Sequence, residues 1–394
     1  MPERIVVIGA GHAGGLAAIT LRELGFSGSL MLIGEEEHAP YERPNLSKGF
    51  LCGEEAEPVW LTSKERWKAL EIVFQTANPA VAIDRAKGEV QLSDGSVAPF
   101  DALILATGGR VRPLPLPHHP AVHYLRTTDD ARAIAAKAKT GARALVVGGG
   151  VIGLEAASTL KGMGLSAVVI ETNDRLLGRN IPAEAAQWLA DAHARIGVEV
   201  RLGRALVGLS DANDGAVTAS FDDGITQEFD LVIAGIGIIP NTGLAEGAGL
   251  SVDGGIVVSD DYRSPDDARI FAIGDVAARL TEGSARRMET WAHAQSSARK
   301  AALAILEQPA EVEPTPWFWT DQCGHSLQIL GDPASADSVI ARGDGVRLYV
   351  REGALVGAVC LDMPRDFAAA RRLVGKVLNP ELAADPAIDL RKSA

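Results

Sequence analysis

Cysteine is scarce in this sequence. Only Cys52, Cys323 and Cys360 occur in 394 residues, far apart and without a C-x-x-C pair. That spacing points away from a zinc ribbon or a local dithiol centre and indicates no metal site, only reduced thiols. Aromatic residues make up 5%, and Lys plus Arg number 38 against 51 Asp plus Glu. The net charge of -13 leaves no dominant basic face, which argues against broad nucleic-acid binding. Long hydrophobic runs are also missing. The stretch 231–239 is nine residues long, whereas spanning a bilayer takes roughly 20. Residues 4–8 already read as a buried strand with no charged, apolar leader before them, so no signal peptide is expected and the expected location is the cytoplasm.

What is present is an ordinary globular mixture, 47% hydrophobic and 23% charged. A chain of this length exceeds one compact core, so two or three domains are expected. Residues 4–8 form an apolar run, a glycine-rich turn follows, then an Ala/Leu-rich stretch to Leu24 and a second apolar run over 30–33. The pattern reads as strand, helix, strand. Residues 143–171 repeat it at an offset of 139. A second repeat, at an offset of 129, echoes Asp94, Gly95, Phe100 and Asp101 in Asp223, Gly224, Phe229 and Asp230. In both copies a hairpin feeds a buried strand that ends in glycine, Ala106-Thr107-Gly108 in the first and Ala234-Gly235-Ile236-Gly237 in the second. Duplication of a whole domain explains both repeats. Pro-rich stretches at 110–120 and 309–316 mark boundaries. The residues beyond Asp385 are expected to be loosely held.

Gly9-x-Gly11-x-x-Gly14 follows a strand and opens a helix, so backbone N–H groups can face a pyrophosphate. Glu35 stands after the next strand, where a carboxylate binds ribose hydroxyls, and Glu36 and Glu37 read as solvated charge. His12 falls inside the turn, beside the phosphate position. Gly148-x-Gly150-x-x-Gly153 repeats the logic with Glu171 at the following strand end. A carboxylate there favours NADH over NADPH, while Arg175 and Arg179 leave the question open. Residues 270–275 end in Gly274-Asp275, where an aspartate can take the ribityl hydroxyls of a flavin, and Glu289-Thr290-Trp291-Ala292-His293 opens an Ala-rich helix. A helix N-terminus at a flavin's pyrimidine edge stabilises the charge that grows there on reduction. His293 reads as a surface or packing residue and Trp317 as core.

The combined motifs resemble the FAD-dependent NADH:ferredoxin reductases of oxygenase systems, in the glutathione-reductase-like superfamily. They are Gly-x-Gly-His-Ala-Gly at residues 9–14, Arg43-Pro44-x-Leu46-Ser47-Lys48, Ala106-Thr107-Gly108, Tyr124-Leu125-Arg126-Thr127, residues 148–155, Gly274-Asp275, and Trp317-Phe318-Trp319-x-Asp321-Gln322. The resemblance covers nearly the whole chain. It implies an α/β fold with two Rossmann-like nucleotide-binding domains and a small C-terminal α+β domain. The FAD domain is discontinuous, over 1–112 and 235–313; the NADH domain, 113–234, is inserted into it, and 314–394 follow.

Position by position, the resemblance implies that Gly9, Gly11, His12, Ala13, Gly14, Glu35, Arg43, Lys48, Ala80, Ala106, Thr107, Gly108, Arg126, Gly274, Asp275, Glu289 and Trp291 bind FAD. Gly148, Gly150, Val151, Ile152, Gly153, Glu155, Glu171, Arg179 and Gly237 would bind NADH. Lys48 and Glu155 would face each other across flavin nitrogen-5, and Trp319 would close the nicotinamide pocket. Relatives that reduce disulfides or peroxides carry a redox cysteine where Lys48 stands, and Cys52 is a poor substitute. Electrons would therefore pass directly to an external one-electron carrier, an acidic 2Fe-2S ferredoxin serving a monooxygenase or Rieske dioxygenase. Arg286 and Arg287 are candidate docking charges, or else a solvated pair. A monomer or weak homodimer is expected. Two alternatives share the motifs: a rubredoxin reductase, and a redox-sensing flavoprotein similar to apoptosis-inducing factors.

Overall fold

The computed structural model describes residues 2–394 apart from Arg179, Asn180 and Glu282. The chain divides into two compact units, one of residues 1–43, 58–110 and 238–314, the other of residues 44–57, 111–237 and 315–394.

In the first unit the strand Arg4–Ile8 pairs in parallel with Ser29–Ile33 on one side and Ala102–Leu105 on the other, and Val73–Gln75 and Ile270–Ala272 form the sheet's edges. Ile5, Val6, Val7 and Ile8 are at most 4% exposed. A parallel strand covered on both faces has no polar side, which is why its sequence is a continuous apolar run. Helix His12–Glu23 packs against helix Trp291–Ile305. Ala17, Ala18, Ala298, Ala301 and Ala302 are all fully buried there, their short side chains permitting close approach.

The second unit contains the same parallel plan. Arg143–Val147 is central, Ser166–Glu171 and Leu231–Ala234 flank it, and Glu199–Leu202 and Val122–Tyr124 are the edges. The repeated hairpins are also matched: Glu89–Leu92 with Val97–Pro99 turns through Gly95, and Val217–Phe221 with Thr226–Phe229 turns through Gly224. One edge strand differs in origin. It comes from later sequence in the first unit, Ile270–Ala272, and from earlier sequence in the second, Val122–Tyr124.

The second unit also holds an antiparallel sheet in the order Trp317–Gln322, His325–Gly331, Ala354–Leu361, Val346–Arg351, Ser338–Arg342. Helix Pro364–Leu373 buries Phe367, Ala370 and Leu373 against that sheet's core. The fold is thus α/β, with two Rossmann-type sheets and a C-terminal α+β domain. Among the described residues no helix is long and apolar enough to cross a membrane.

The tail corrects one expectation. Residues beyond Asp385 are held, with Leu390 and Ser393 each 1% exposed. The Arg342 guanidinium donates to the carbonyls of Ala383, Asp385 and Ile388 and to the Asp366 carboxylate, the last at 2.9 Å. The tail's anchor is an arginine more than forty residues away, so its own composition carries no sign of order.

Candidate functional site

In the first unit the glycine turn is built for close approach. Gly9 has φ +109, and a Cβ on it would lie 2.1 Å from the Ala106 carbonyl oxygen; a Cβ on Gly14 would lie 1.9 Å from the Gly9 oxygen. Both must be glycine for the helix to sit on the sheet. At Gly11 the nearest atom to an added Cβ is Arg43 Nη2 at 3.9 Å, so the middle glycine faces open space. Helix His12–Glu23 has Gly11 as its N-cap, with no side-chain cap and no acid in its first turn. Such a terminus presents unsatisfied N–H groups and the positive end of the helix dipole to an anion.

Several other first-unit candidates adjoin this turn or its supports. A Cβ on Gly274, φ +68, would meet Ala13 at 2.9 Å, which brings the Gly274-Asp275 turn against the helix start. The Gly274 N–H donates to the buried Ser297 hydroxyl, and Arg287 Nη1 donates to the Asp275 carbonyl. Arg287 is also paired with Glu289 at 2.7 Å. The Thr107 hydroxyl donates to the Asn241 carbonyl at 2.7 Å and the Asn241 amide returns to the Thr107 carbonyl at 2.9 Å, fixing the Ala106-Thr107-Gly108 turn. Ala80 begins the strand Ala80–Asp84.

Both ring nitrogens of the half-buried His12 are shielded from solvent, and neither makes a hydrogen bond. Glu42 stands 3.6 Å from its Nδ1 and accepts from Trp291 Nε1 at 2.5 Å, while the His12 and Trp291 rings lie 5.2 Å apart. Burial pushes the His12 imidazole down to about 4, with Asp275 acting the other way. Burial also raises the Glu42 carboxyl above its usual range despite the Trp291 bond. A histidine with shielded, unbonded ring nitrogens in a glycine turn, an open middle glycine and an uncapped helix together fit a pyrophosphate and its sugar.

Among the neighbouring acids, Glu36 requires a correction. Glu35 is exposed. Glu36, expected to be solvated charge, accepts from Arg43 at 2.6 Å and from the Tyr41 hydroxyl at 2.5 Å. Burial acts to raise its pKa, but Arg43 and Tyr41 prevail and hold it below the usual range.

The second unit repeats the turn. A Cβ on Gly148, φ +111, would lie 2.5 Å from the Gly235 oxygen, one on Gly153 2.2 Å from the Gly148 oxygen, and one on Gly150 has nothing nearer than 3.8 Å. Helix Val151–Gly162 is likewise without a side-chain cap. Glu171 accepts from the Gly149 N–H at 2.8 Å and from the Asn173 N–H at 2.8 Å. Burial acts to raise its pKa, but these bonds hold it below the usual range. Gly237 has φ +101, Arg126 precedes helix Thr128–Lys137, and Ile152 is 40% exposed at the helix start. Arg179 lies outside the described residues.

The same unit joins Lys48 to Glu155. Lys48 Nζ donates to Glu155 Oε2 at 2.7 Å and to the Pro44 carbonyl at 2.9 Å. Ser47 donates to the same Oε2 at 2.5 Å, and Thr320 donates to Oε1 at 2.7 Å. Neither Ser47 nor Thr320 stands out in the sequence as a site residue. Along the strand Trp317–Gln322, Thr320 and Gln322 share one face, while Trp317, Trp319 and Asp321 share the other. Trp319 stacks on Trp317 with centroids 5.5 Å apart and donates Nε1–H to Asp321 at 3.0 Å. Trp317 packs on Phe367, as a core residue would.

A cleft of about 680 Å³ opens beside Lys48, lined by Cys52, Ser158, Asp321, Cys323 and His325 among others. Two cysteines remote in sequence therefore share one cleft. Burial raises the Cys323 thiol and, more strongly, the Cys360 thiol, to about 12.

The pyridine nucleotide-disulphide oxidoreductase family matches residues 3–298, and the reductase C-terminal family matches residues 317–394. Rhodocoxin reductase of Rhodococcus erythropolis is 37% identical over 98% of this chain and 93% of its own length. The ferredoxin--NAD(+) reductase component of the p-cumate 2,3-dioxygenase system of Pseudomonas putida is 36% identical over 100% of this chain and 98% of its own. A chain of the covalent putidaredoxin reductase-putidaredoxin complex superimposes with a TM-score of 0.93 at 32% identity, covering 99% of this chain and 97% of that one. With a profile match across most of its length and relatives aligned end to end, this chain belongs to the pyridine nucleotide-disulphide oxidoreductase family.

Proposed function

We propose that this protein is an FAD-containing NADH:ferredoxin oxidoreductase that serves an oxygenase through a 2Fe-2S ferredoxin. The observation that carries the reading is the pair of like-built glycine turns in a chain whose three cysteines are all unpaired. Two nucleotides can be held, no disulfide stands ready to take electrons, and the acceptor must be external. Relatives named as ferredoxin reductase components, and a relative solved in complex with putidaredoxin, support a ferredoxin as that acceptor. When bound, FAD supplies the exchange between the two-electron chemistry of NADH and the one-electron chemistry of an iron–sulfur protein.

We assign FAD to residues 1–112 and 235–313 and NADH to residues 113–234. In the first set, Gly9, Gly11, Gly14 and the first turn of the following helix hold the pyrophosphate. Glu35, Arg43, Ala80, the 106–108 turn, Gly274, Asp275, Glu289 and Trp291 line the rest, and His12 finds its hydrogen-bond partner on the cofactor. Lys48 belongs to the same set, and Arg126 is assigned to FAD from outside it, from residues 113–234. In the second, Gly148, Gly150 and Gly153 hold the dinucleotide, Glu171 takes the adenosine ribose and selects NADH, and Glu155 orients the nicotinamide amide. The Lys48 ammonium favours an electron-rich flavin ring, and Trp319 closes the pocket against water. No general base is required, because position and electrostatics suffice.

For docking we assign the main role to Arg286, which is exposed, because Arg287 is already paired with Glu289. A local positive charge steers an acidic partner despite the net charge. A cytoplasmic location suits three unpaired cysteines. The test is anaerobic mixing of the FAD-loaded protein with NADH, then NADH-dependent cytochrome c reduction with and without 2Fe-2S ferredoxins. Bleaching of the flavin and ferredoxin-dependent turnover are expected. Failure of NADH to bleach the flavin sinks the reading.

A further inference from the structure

Glu155 is 2% exposed, the only buried acid among the described residues, and Lys48 with Ser47 occupies only its Oε2. Oε1 is engaged from the C-terminal sheet. Thr320 Oγ1 lies 2.7 Å from Oε1, Gln322 Nε2 lies 2.8 Å from Thr320 Oγ1, and His193 Nε2 lies 2.6 Å from Gln322 Oε1. Thr320, Gln322 and His193 are each at most 4% exposed.

The direction of every proton in this chain follows from its end. A carboxylate paired with an ammonium can only accept, so the Thr320 hydroxyl proton points to Glu155. Thr320 must then receive a proton from the amide nitrogen of Gln322, which turns the Gln322 carbonyl toward His193. That carbonyl in turn requires His193 to carry its proton on Nε2. The opposite nitrogen, Nδ1, has no partner. A single tautomer and a single amide orientation satisfy the series, and every donor is aimed at Glu155.

We propose that Thr320, oriented by Gln322 and His193, is a positioning residue for the Lys48–Glu155 pair. The inference rests on the role given to that pair above. Holding Oε1 stops the carboxylate from rotating about its terminal bond, so Oε2 is presented in one direction and the ammonium it binds stays in one place. With Oε1 released, Lys48 and Ser47 have two equivalent oxygens to choose between, and the ammonium position blurs. Displacements of about 1 Å at a reacting centre cost on the order of 10²-fold in rate.

The experiment compares Thr320→Val, Thr320→Ser and Gln322→Met in the FAD-loaded protein. It follows anaerobic flavin reduction across NADH concentrations, the midpoint potential of the bound flavin, and circular dichroism. Thr320→Val is expected to slow reduction at saturating NADH by about tenfold, the worth of one hydrogen bond to a charged acceptor. The half-saturating NADH concentration should stay within about twofold, and the flavin potential should shift, because the nearby ammonium has moved. Thr320→Ser restores the rate. Gln322→Met, which leaves the Thr320 hydroxyl in place but undirected, slows reduction by about threefold, so the proposal is testable even if the valine variant does not fold. Wild-type rates in Thr320→Val or Gln322→Met, or equal loss in the valine and serine variants, overturn it. A wild-type protein that NADH cannot reduce overturns instead the reading on which it rests.

Discussion

Removing the Lys48 ammonium tests how the buried acid is tolerated. In Lys48→Met, Glu155 keeps the Ser47 and Thr320 hydroxyls but loses its counter-charge, while its side chain stays 2% exposed. Breaking a buried ion pair from one side costs about 3–5 kcal/mol. The cost falls below that range here, since two donors remain and Lys48 itself is 21% exposed. A loss of about 2–3 kcal/mol is expected. In Glu155→Leu the ammonium keeps the Pro44 carbonyl and can reach water, so the cost is about 1–2 kcal/mol. The double variant, with neither charge left, should cost less than the sum of the singles by about 2 kcal/mol. With an unfolding entropy of roughly 2.1 cal/mol/K per residue, Lys48→Met should melt about 3 °C lower if the chain unfolds as one unit. Differential scanning calorimetry of the four FAD-loaded proteins supplies the cycle, and anaerobic NADH reduction supplies the functional arm, in which all three variants are slow. Additive melting shifts, or a Lys48→Met protein that melts with the parent, would refute the coupling.

Three further outcomes are expected. Arg342→Met leaves three carbonyls and Asp366 without their donor and should cost about 3–4 kcal/mol; limited proteolysis then cuts beyond Asp385, and an uncut tail contradicts the anchoring. Glu171→Ala removes the carboxylate proposed above to select NADH, so the NADH-to-NADPH ratio of kcat/KM should fall by about tenfold or more; an unchanged ratio in steady-state assays places discrimination elsewhere. Burial holds His193 and His293 below their ordinary value of 6.5. The unfolded chain therefore binds protons that the folded chain refuses as pH falls below 6.5, and stability, complete above that value, declines on acidification. Urea midpoints that do not drop between about pH 7.5 and 5.5 contradict this assignment.

The fold was legible because its signals are local. An apolar strand, three glycines and a small-residue helix occur within about twenty residues, twice, and sterics at Gly9, Gly14, Gly148 and Gly153 leave one way to fold them. The edge strands were less legible, because Val122–Tyr124 and Ile270–Ala272 are three residues each and are specified by their neighbours in the sheet. The surroundings of the candidate site were legible only in part. Thr320 lay inside the aromatic motif as an unassigned position, yet strand alternation alone sets Thr320 and Gln322 on one face, opposite Asp321. Two polar residues on a buried face require partners, and that was the available signal. Glu42 and Asn241 gave none, since what they bond, Trp291 and Thr107, is remote in sequence and brought close only by the sheet.

The duplication bears on the role proposed for Glu155. At the offset of 139 that aligns the glycines, its counterpart in the first unit is Leu16, which packs against the core as the helix pattern requires. The helix thus folds with an apolar side chain at this position, and nothing in strand, turn or helix calls for an acid. Placing a carboxylate there costs several kcal/mol unless every lone pair is met. The donors that meet it, Ser47, Lys48 and Thr320, all come from outside the repeated segment. Segments 44–48 and 317–322 have no reason to converge on this helix if the domain merely repeats its twin. Their convergence, and the fixed direction of the hydrogen bonds behind Thr320, are accounted for if the second copy's helix had to present a charge that the first copy's did not. The two Rossmann units therefore share a scaffold and differ at one helix position: the first packs Leu16 into its core, and the second carries there an acid met by donors from two outside segments, as the role proposed for the Lys48–Glu155 pair requires.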